Sequence, residues 1–312
     1  MLELLYAVLV GPVKDMAGAP AFLAEVIIGG LAAGLMYSLV ALGFVLIYKA
    51  SGVFNFAQGV MVLFAALTLV GLMERGVPLA LALLATMAVM GALAFAIERV
   101  VLRPLVNQEQ IILFMATIGL NFFLEGFGEL AWGSNVKKLD VGIPDSSFTV
   151  WGVQVNRLEL TAAITAAVLV AVMAVFFQRT RIGRALRAVA DDHEAALSIG
   201  IPLNTIWIVV WSAAGLVAIV AGIMWGAKSG VQFSLSLIAL KALPVLILGG
   251  FTSVPGAIVG GLIIGVGEKL AEVYWGPLVG GAIENWFAYV LALAFLLVRP
   301  QGLFGERIIE RV

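Results

Sequence analysis

Cysteine is absent from the 312-residue chain, histidine occurs once, and only 12% of residues are formally charged. Without cysteine there is no disulfide framework, thiolate nucleophile or cysteine-type zinc site. The 18 basic and 19 acidic residues give a net charge of -1, so the chain lacks the basic surface that nucleic acid requires. This scarcity of charge excludes a water-soluble enzyme, in which about a quarter of residues are charged. It also excludes a disordered chain, which combines high charge with low apolar content. The single histidine, His193, neighbours Asp191, Asp192 and Glu194, but no HExxH spacing or second histidine accompanies it. No lysine follows a glycine, so the phosphate-binding loop GxxxxGK[ST] is missing, as is the GxSxG nucleophile elbow. No catalytic residue, metal or cofactor is expected in this chain.

What fills the chain instead is apolar: 62% of residues are hydrophobic and the mean hydropathy is +1.11. The fold class is all-α, a polytopic helical membrane protein forming one domain over residues 1–312. Apolar runs occupy residues 22–48, 56–73, 77–98, 111–131, 159–178, 203–226, 237–272 and 281–298. The seventh is too long for one crossing and contains Gly249, Gly250, Pro255 and Gly256, so it divides at a turn. Its first piece, 237–248, is about 18 Å long as a helix, short of a hydrocarbon core of about 30 Å, and is expected to be re-entrant. The division gives eight to nine membrane segments. The one lysine of the first 20 residues, Lys14, follows its apolar stretch instead of preceding it, so a retained short interfacial helix is expected there and not a cleaved signal.

Basic loop residues set the orientation. Arg179, Arg181, Arg184 and Arg187 crowd one loop, Arg99 and Arg103 another, and Arg299, Arg307 and Arg311 the C-terminus. Placing all three in the cytoplasm makes 179–204 a cytoplasmic loop and 132–158 an external one. Lys137 and Lys138 in the external loop are offset there by Asp140 and Asp145. The alternation from Ser147 to Val155 predicts a small hairpin turning at Trp151-Gly152.

Polar residues inside apolar runs carry the functional argument. Thr117, Asn121, Glu125 and Glu129 recur every four residues, drifting only about 40° per step along one helix face. Glu129 lies near the end of the run and reads as interfacial. For Asn121 and Glu125 two readings stand side by side: hydrogen bonding between helices, and the lining of a polar pathway. An ion-coupled secondary transporter with Glu125 as its titrating group is the alternative this row permits. Residues 50–59 interrupt two apolar helices; Asn55 and Gln58 there either cap the helix starting at Phe56 or face a permeating solute from a broken helix. Lys241 is expected to snorkel to the interface, with attraction of an anionic solute as the sharper alternative. The glycine pairs Gly30/Gly34, Gly222/Gly226, Gly256/Gly260 and Gly261/Gly265 permit close helix approach, within the chain or toward another subunit.

The 179–204 loop reads as an amphipathic helix with Ala185, Leu186, Val189 and Ala190 near one face. Within it, Glu194-Ala195-Ala196 followed by Gly200 resembles the core of the loop by which ABC importer permeases dock on their ATPases. More of the chain resembles the branched-chain amino acid permease family, the Liv-type membrane subunits. The matching stretches are Ala41-Leu42-Gly43, Asn55-Phe56-Ala57-Gln58-Gly59, Arg103-Pro104-Leu105, Thr180-Arg181-Ile182-Gly183-Arg184-Ala185, Ser253-Val254-Pro255-Gly256-Ala257 and Arg299-Pro300-Gln301-Gly302-Leu303-Phe304-Gly305.

The resemblance implies half of a translocation pathway in a bacterial inner membrane, with a cytoplasmic C-terminus. A second, related permease, two cytoplasmic ATPases that bind ATP and magnesium, and a periplasmic solute-binding protein would complete the importer. Its solute would be a branched-chain amino acid or a related small polar or aromatic acid. Asn55, Gln58, Thr117, Asn121 and Glu125 would line the path. Arg184, Arg187, Asp191, Glu194, Ala195, Ala196 and Gly200 would contact the ATPase. Pro244, Gly249 and Gly250 would serve gating or close packing.

Overall fold

The computed structural model describes residues 6, 8–105, 108–191, 196, 198 and 200–305. Among these are twelve α-helices and one two-stranded sheet. In chain order the helices are α1 (Gly11–Gly18), α2 (Pro20–Ser51), α3 (Gln58–Glu74), α4 (Leu79–Ala96), α5 (Gln110–Trp132) and α6 (Arg157–Arg179). They continue as α7 (Arg181–Asp191), α8 (Leu203–Ser229), α9 (Ile238–Gly249), α10 (Val254–Tyr274), α11 (Gly276–Val279) and α12 (Phe287–Val298). Six are long and apolar enough to cross a membrane: α2, α4 with its extension to Leu105, α5, α6, α8 and α10. Three shorter apolar helical segments, 58–74, 233–249 and 287–298, accompany them.

The expected division of the run 237–272 occurs, as α9 and α10. The predicted hairpin also forms: Ser147–Val150 pairs antiparallel with Val153–Asn156. Trp151 and Gly152 both adopt positive φ, as a two-residue hairpin turn that matches the strand twist requires. The short N-terminal helix is α1. Lys137 of the 132–158 loop pairs with Glu74, at the end of α3. Asp140 and Asp145 are engaged elsewhere, with the Gly142 amide and the Asn156 carboxamide.

α2 is the axis of the bundle. Its 32 residues make a helix of about 48 Å, apolar all round and buried almost continuously from Ala32 to Ile47, the pattern of a central helix. α10, α8, α6 and α9 pack around it. Its closest neighbour is α10, where Gly30 and Gly34 meet Gly261 and Gly265. A Cβ at Gly34 would lie 2.5 Å from the Gly261 carbonyl, and one at Gly265 would lie 2.4 Å from the Gly30 carbonyl. The glycine spacing therefore serves packing within the subunit. The outer helices α4, α5 and α6 expose large apolar side chains such as Leu84, Met87, Phe122, Phe123, Val168 and Val172. Such faces suit a lipid environment, where only the backbone must be satisfied internally.

Two half-length helices begin inside this bundle. α2 ends where Gly52 adopts the left-handed conformation and donates its N–H to the Tyr48 carbonyl at 2.8 Å. The chain then turns back, so that Gln58, the first residue of α3, lies against Gly43 of α2. α9 starts at the same level: a Cβ on Gly59 would sit 2.1 Å from the Ser236 carbonyl and 2.7 Å from the Ala239 Cβ. Both helix N-termini thus meet in the interior, with α3 running toward the hairpin end of the bundle and α9 toward the α7 end.

Candidate translocation site

The wall of the site is the broken segment 52–57, held by α5. Thr117 is buried and accepts the Phe56 N–H at 3.0 Å while donating to the Phe114 carbonyl at 2.8 Å. One hydroxyl therefore satisfies a backbone amide that the helix break would otherwise leave unpaired. Phe54 stacks on Phe44 of α2, with centroids 4.7 Å apart. Asn55 accepts the Ala57 N–H at 3.1 Å and approaches the Gln58 carboxamide at 3.5 Å. The helix starts at Gln58 and not at Phe56, so Asn55 closes a local turn two residues ahead of the N-cap position, Ala57, instead of being the cap itself. Asn55 and Gln58 are both fully buried behind this wall.

In front of it lies a cavity of about 220 Å³, lined by Phe54 and Phe56, by Asn121 and Glu125 of α5, and by Ser236 and Leu240 at the start of α9. Of the expected row, Thr117 anchors the wall, Asn121 and Glu125 face the cavity, and Glu129 is exposed beyond it. A second cavity, of about 250 Å³, lies on the other side of Leu237 and is lined by Trp225, Ser229, Gln232, Ser234 and Lys241. Leu237 is the ridge between the two, and it is exposed.

Lys241 does not snorkel along α9. Its ammonium pairs with Glu268 of α10 at 3.2 Å and donates to the Glu284 carbonyl. Glu268 is only 3% exposed, and the Tyr37 hydroxyl lies against the same carboxylate. Tyr289 donates to the Leu240 carbonyl at 2.7 Å, one of the carbonyls that Pro244, lacking an N–H, leaves without its helical partner. This network was not visible in the sequence: Lys241 and Glu268 are 27 positions apart on different helices, and no spacing rule pairs them. The only signal was an acid, Glu268, within the apolar run that becomes α10.

Beyond Pro244, α9 ends at a close contact: a Cβ on Gly249 would lie 2.2 Å from the Gly256 carbonyl. The last carbonyls of α9 are capped by the chain after α12, since Leu303 donates to Leu248 at 2.8 Å and Phe304 to Gly249 at 3.1 Å. The Arg299–Gly305 motif is thus a helix cap built from a distant backbone.

At the same end, α7 lays Leu186 and Val189 into the core. Arg187 donates to the Phe177 carbonyl at 2.7 Å and to that of Gln178 at 3.4 Å, and Arg184 reaches the Arg179 carbonyl at 3.4 Å. These guanidinium groups cap the C-terminus of α6, where orphan carbonyls and the helix dipole favour a cation. The amphipathic helix expected in the 179–204 loop is present as α7, described from Arg181 to Asp191. Ala196 is buried and accepts the Ile201 N–H at 3.0 Å; Gly200, at φ +84°, makes the turn between them. Glu194 and Ala195 lie outside the described residues.

A family model described as the branched-chain amino acid transport system / permease component matches residues 26–299. The high-affinity branched-chain amino acid transport system permease protein BraD of Pseudomonas aeruginosa is 30% identical, over 92% of this chain and 97% of its own length. The LivH permease protein of Escherichia coli is 28% identical over 91% of this chain and 96% of its own. A probable LivH of Methanocaldococcus jannaschii is 27% identical over 86% and 88%. A polytopic bundle matched from its first long helix to the end of its last identifies this chain as a member of the branched-chain amino acid transport system permease family.

Proposed function

We propose that this chain is one membrane half of an ATP-driven importer for branched-chain amino acids or a related small polar or aromatic acid. The observation that carries the reading is the cavity in which Asn121 and Glu125 face the broken segment 52–57 and the N-terminus of the short helix α9. Helix N-termini inside a membrane carry partial positive charge and favour an anionic solute group. The carboxylate of Glu125 favours a cationic one. The α9 N-terminus and Glu125 together offer both signs of charge to a zwitterionic solute.

Energy enters from outside the chain. Two partner ATPases bind ATP and magnesium and engage the α7 region, and a second, related permease supplies the other wall of the path. A periplasmic binding protein selects the solute, so the path itself need hold it only weakly. The arginine-bearing helix ends, at Arg99, Arg103, Arg179, Arg184 and Arg299, support a cytoplasmic α7 end in a bacterial inner membrane. Displacement of α7 by the closing ATPases would pass to α6 through the Arg187 cap and to the core through Leu186 and Val189.

Reconstitution tests this reading. Proteoliposomes holding the chain with its partner permease, ATPases and loaded binding protein should take up leucine only with ATP. Glu125→Gln should lower the uptake rate while leaving ATP dependence intact. Uptake by the chain alone, driven by a proton or sodium gradient without ATP, would overturn it.

A further inference from the structure

At the α7 end of the bundle a separate cavity of about 210 Å³ lies where α2, α6, α7 and the start of α10 converge. Its polar lining is unusual for membrane depth. It contains two cations, Lys49 and Arg187, together with Thr252 and Ser253 at the N-terminus of the 21-residue α10, and no carboxylate among its described lining residues. Neither cation has a described carboxylate at ion-pair distance, whereas Lys137, Lys228, Lys241 and Lys269 each do. Among the described residues, Lys49 donates only to the Thr252 carbonyl, at 3.5 Å. Arg187 donates to the Phe177 and Gln178 carbonyls, and its five N–H groups outnumber these two described acceptors. Both side chains are half-buried. Two half-buried cations beside the start of a helix, with no carboxylate among the described lining residues, form a setting that an anion would complete.

We propose that this cavity binds the phosphate of an anionic phospholipid. Basic pockets between membrane helices are a recurrent seat for such headgroups. Part of the lining is apolar: Leu46, Ala174 and Phe177, on the ends of two long apolar helices, offer a path from the headgroup toward the acyl region, with Gln178 beside them. A phosphate seated there touches α2, α7 and α10 at once, and so braces the corner between α7 and the helices it rests on.

The test is lipid retention by the intact transporter, purified and examined by native mass spectrometry after equilibration with phosphatidylglycerol or phosphatidylcholine. The wild-type protein should retain phosphatidylglycerol in preference to phosphatidylcholine. Lys49→Gln should weaken that retention about fivefold, the order expected for losing one cation near the membrane surface, and Lys49→Arg should preserve it. Equal retention of the two lipids, or of phosphatidylglycerol by wild type and Lys49→Gln, would overturn the proposal. Displacement of the lipid by millimolar inorganic phosphate would assign the site to a soluble anion and overturn the lipid assignment. Since Lys49→Arg keeps the charge, a loss in both variants alike would mark a packing defect and count against a phosphate site. Thermal stabilisation of the wild type by phosphatidylglycerol but not by phosphatidylcholine provides a second reading that needs no variant.

Discussion

The α2–α10 crossing and the α5–α9 face answer opposite requirements in one bundle. At the crossing, glycine against glycine brings two backbones into contact with scarcely a side chain between them. Without a hydrophobic drive in lipid, such close packing holds helices together. At the α5–α9 face, the chain forgoes close packing, breaks two helices and leaves Asn121, Glu125 and Lys241 beside open space. Rigidity on one side is what lets the other side stay polar and hollow: α10 is fixed to α2, and Glu268 on α10 fixes Lys241 of α9.

Breaking the link between the two regions should have the largest effect. Lys241→Met leaves Glu268 buried without its cation and should cost about 3–5 kcal/mol in unfolding stability, measured by thermal denaturation in detergent. Combining it with Glu268→Gln should recover most of that loss, since no uncompensated charge remains. Next in size, Gly34→Val forces a branched side chain into the Gly261 carbonyl and should destabilise by about 1–3 kcal/mol. It should do so by separating α2 from α10, detectable as faster amide exchange along both helices. Smallest is Thr117→Val, which removes the partner of the Phe56 N–H; about 1 kcal/mol is expected. Its consequence should be local, a drop in transport rate through a loosened 52–57 segment with little change in overall melting.

The two regions also differ in how far the sequence disclosed them. Helix positions follow from apolar runs, and the split of residues 237–272 from Gly249, Gly250 and Pro255, because chain-local chemistry decides both. The glycine pairs announced close contacts, although only the fold says that Gly34 meets Gly261. The row from Thr117 to Glu129 was legible as a face by its four-residue spacing, and two of its members do reach the cavity. Thr117 instead holds the wall, and Asn55 and Gln58 lie behind it. Their roles depend on how far the chain folds back after Gly52, which no local rule sets. For Arg184 and Arg187 the expectation is contact with an ATPase; their capping of α6 was not legible, because it depends on a sharp corner at Thr180 that brings that helix end within their reach. Pairing across distant segments, as in Lys241 with Glu268, has no sequence signature.

The central claim, that solute passes along the α5–α9 face, is open to direct measurement because the chain contains no cysteine. Asn121→Cys puts a single thiol in the cavity, and Ile164→Cys puts one on the exposed apolar face of α6 as a control. The assembled transporter would be treated with a negatively charged methanethiosulfonate reagent during ATP turnover, with and without saturating loaded binding protein. The account predicts that modification at position 121 blocks leucine uptake and is slowed by the solute, while the control retains uptake. Full uptake after complete modification at position 121 would contradict it.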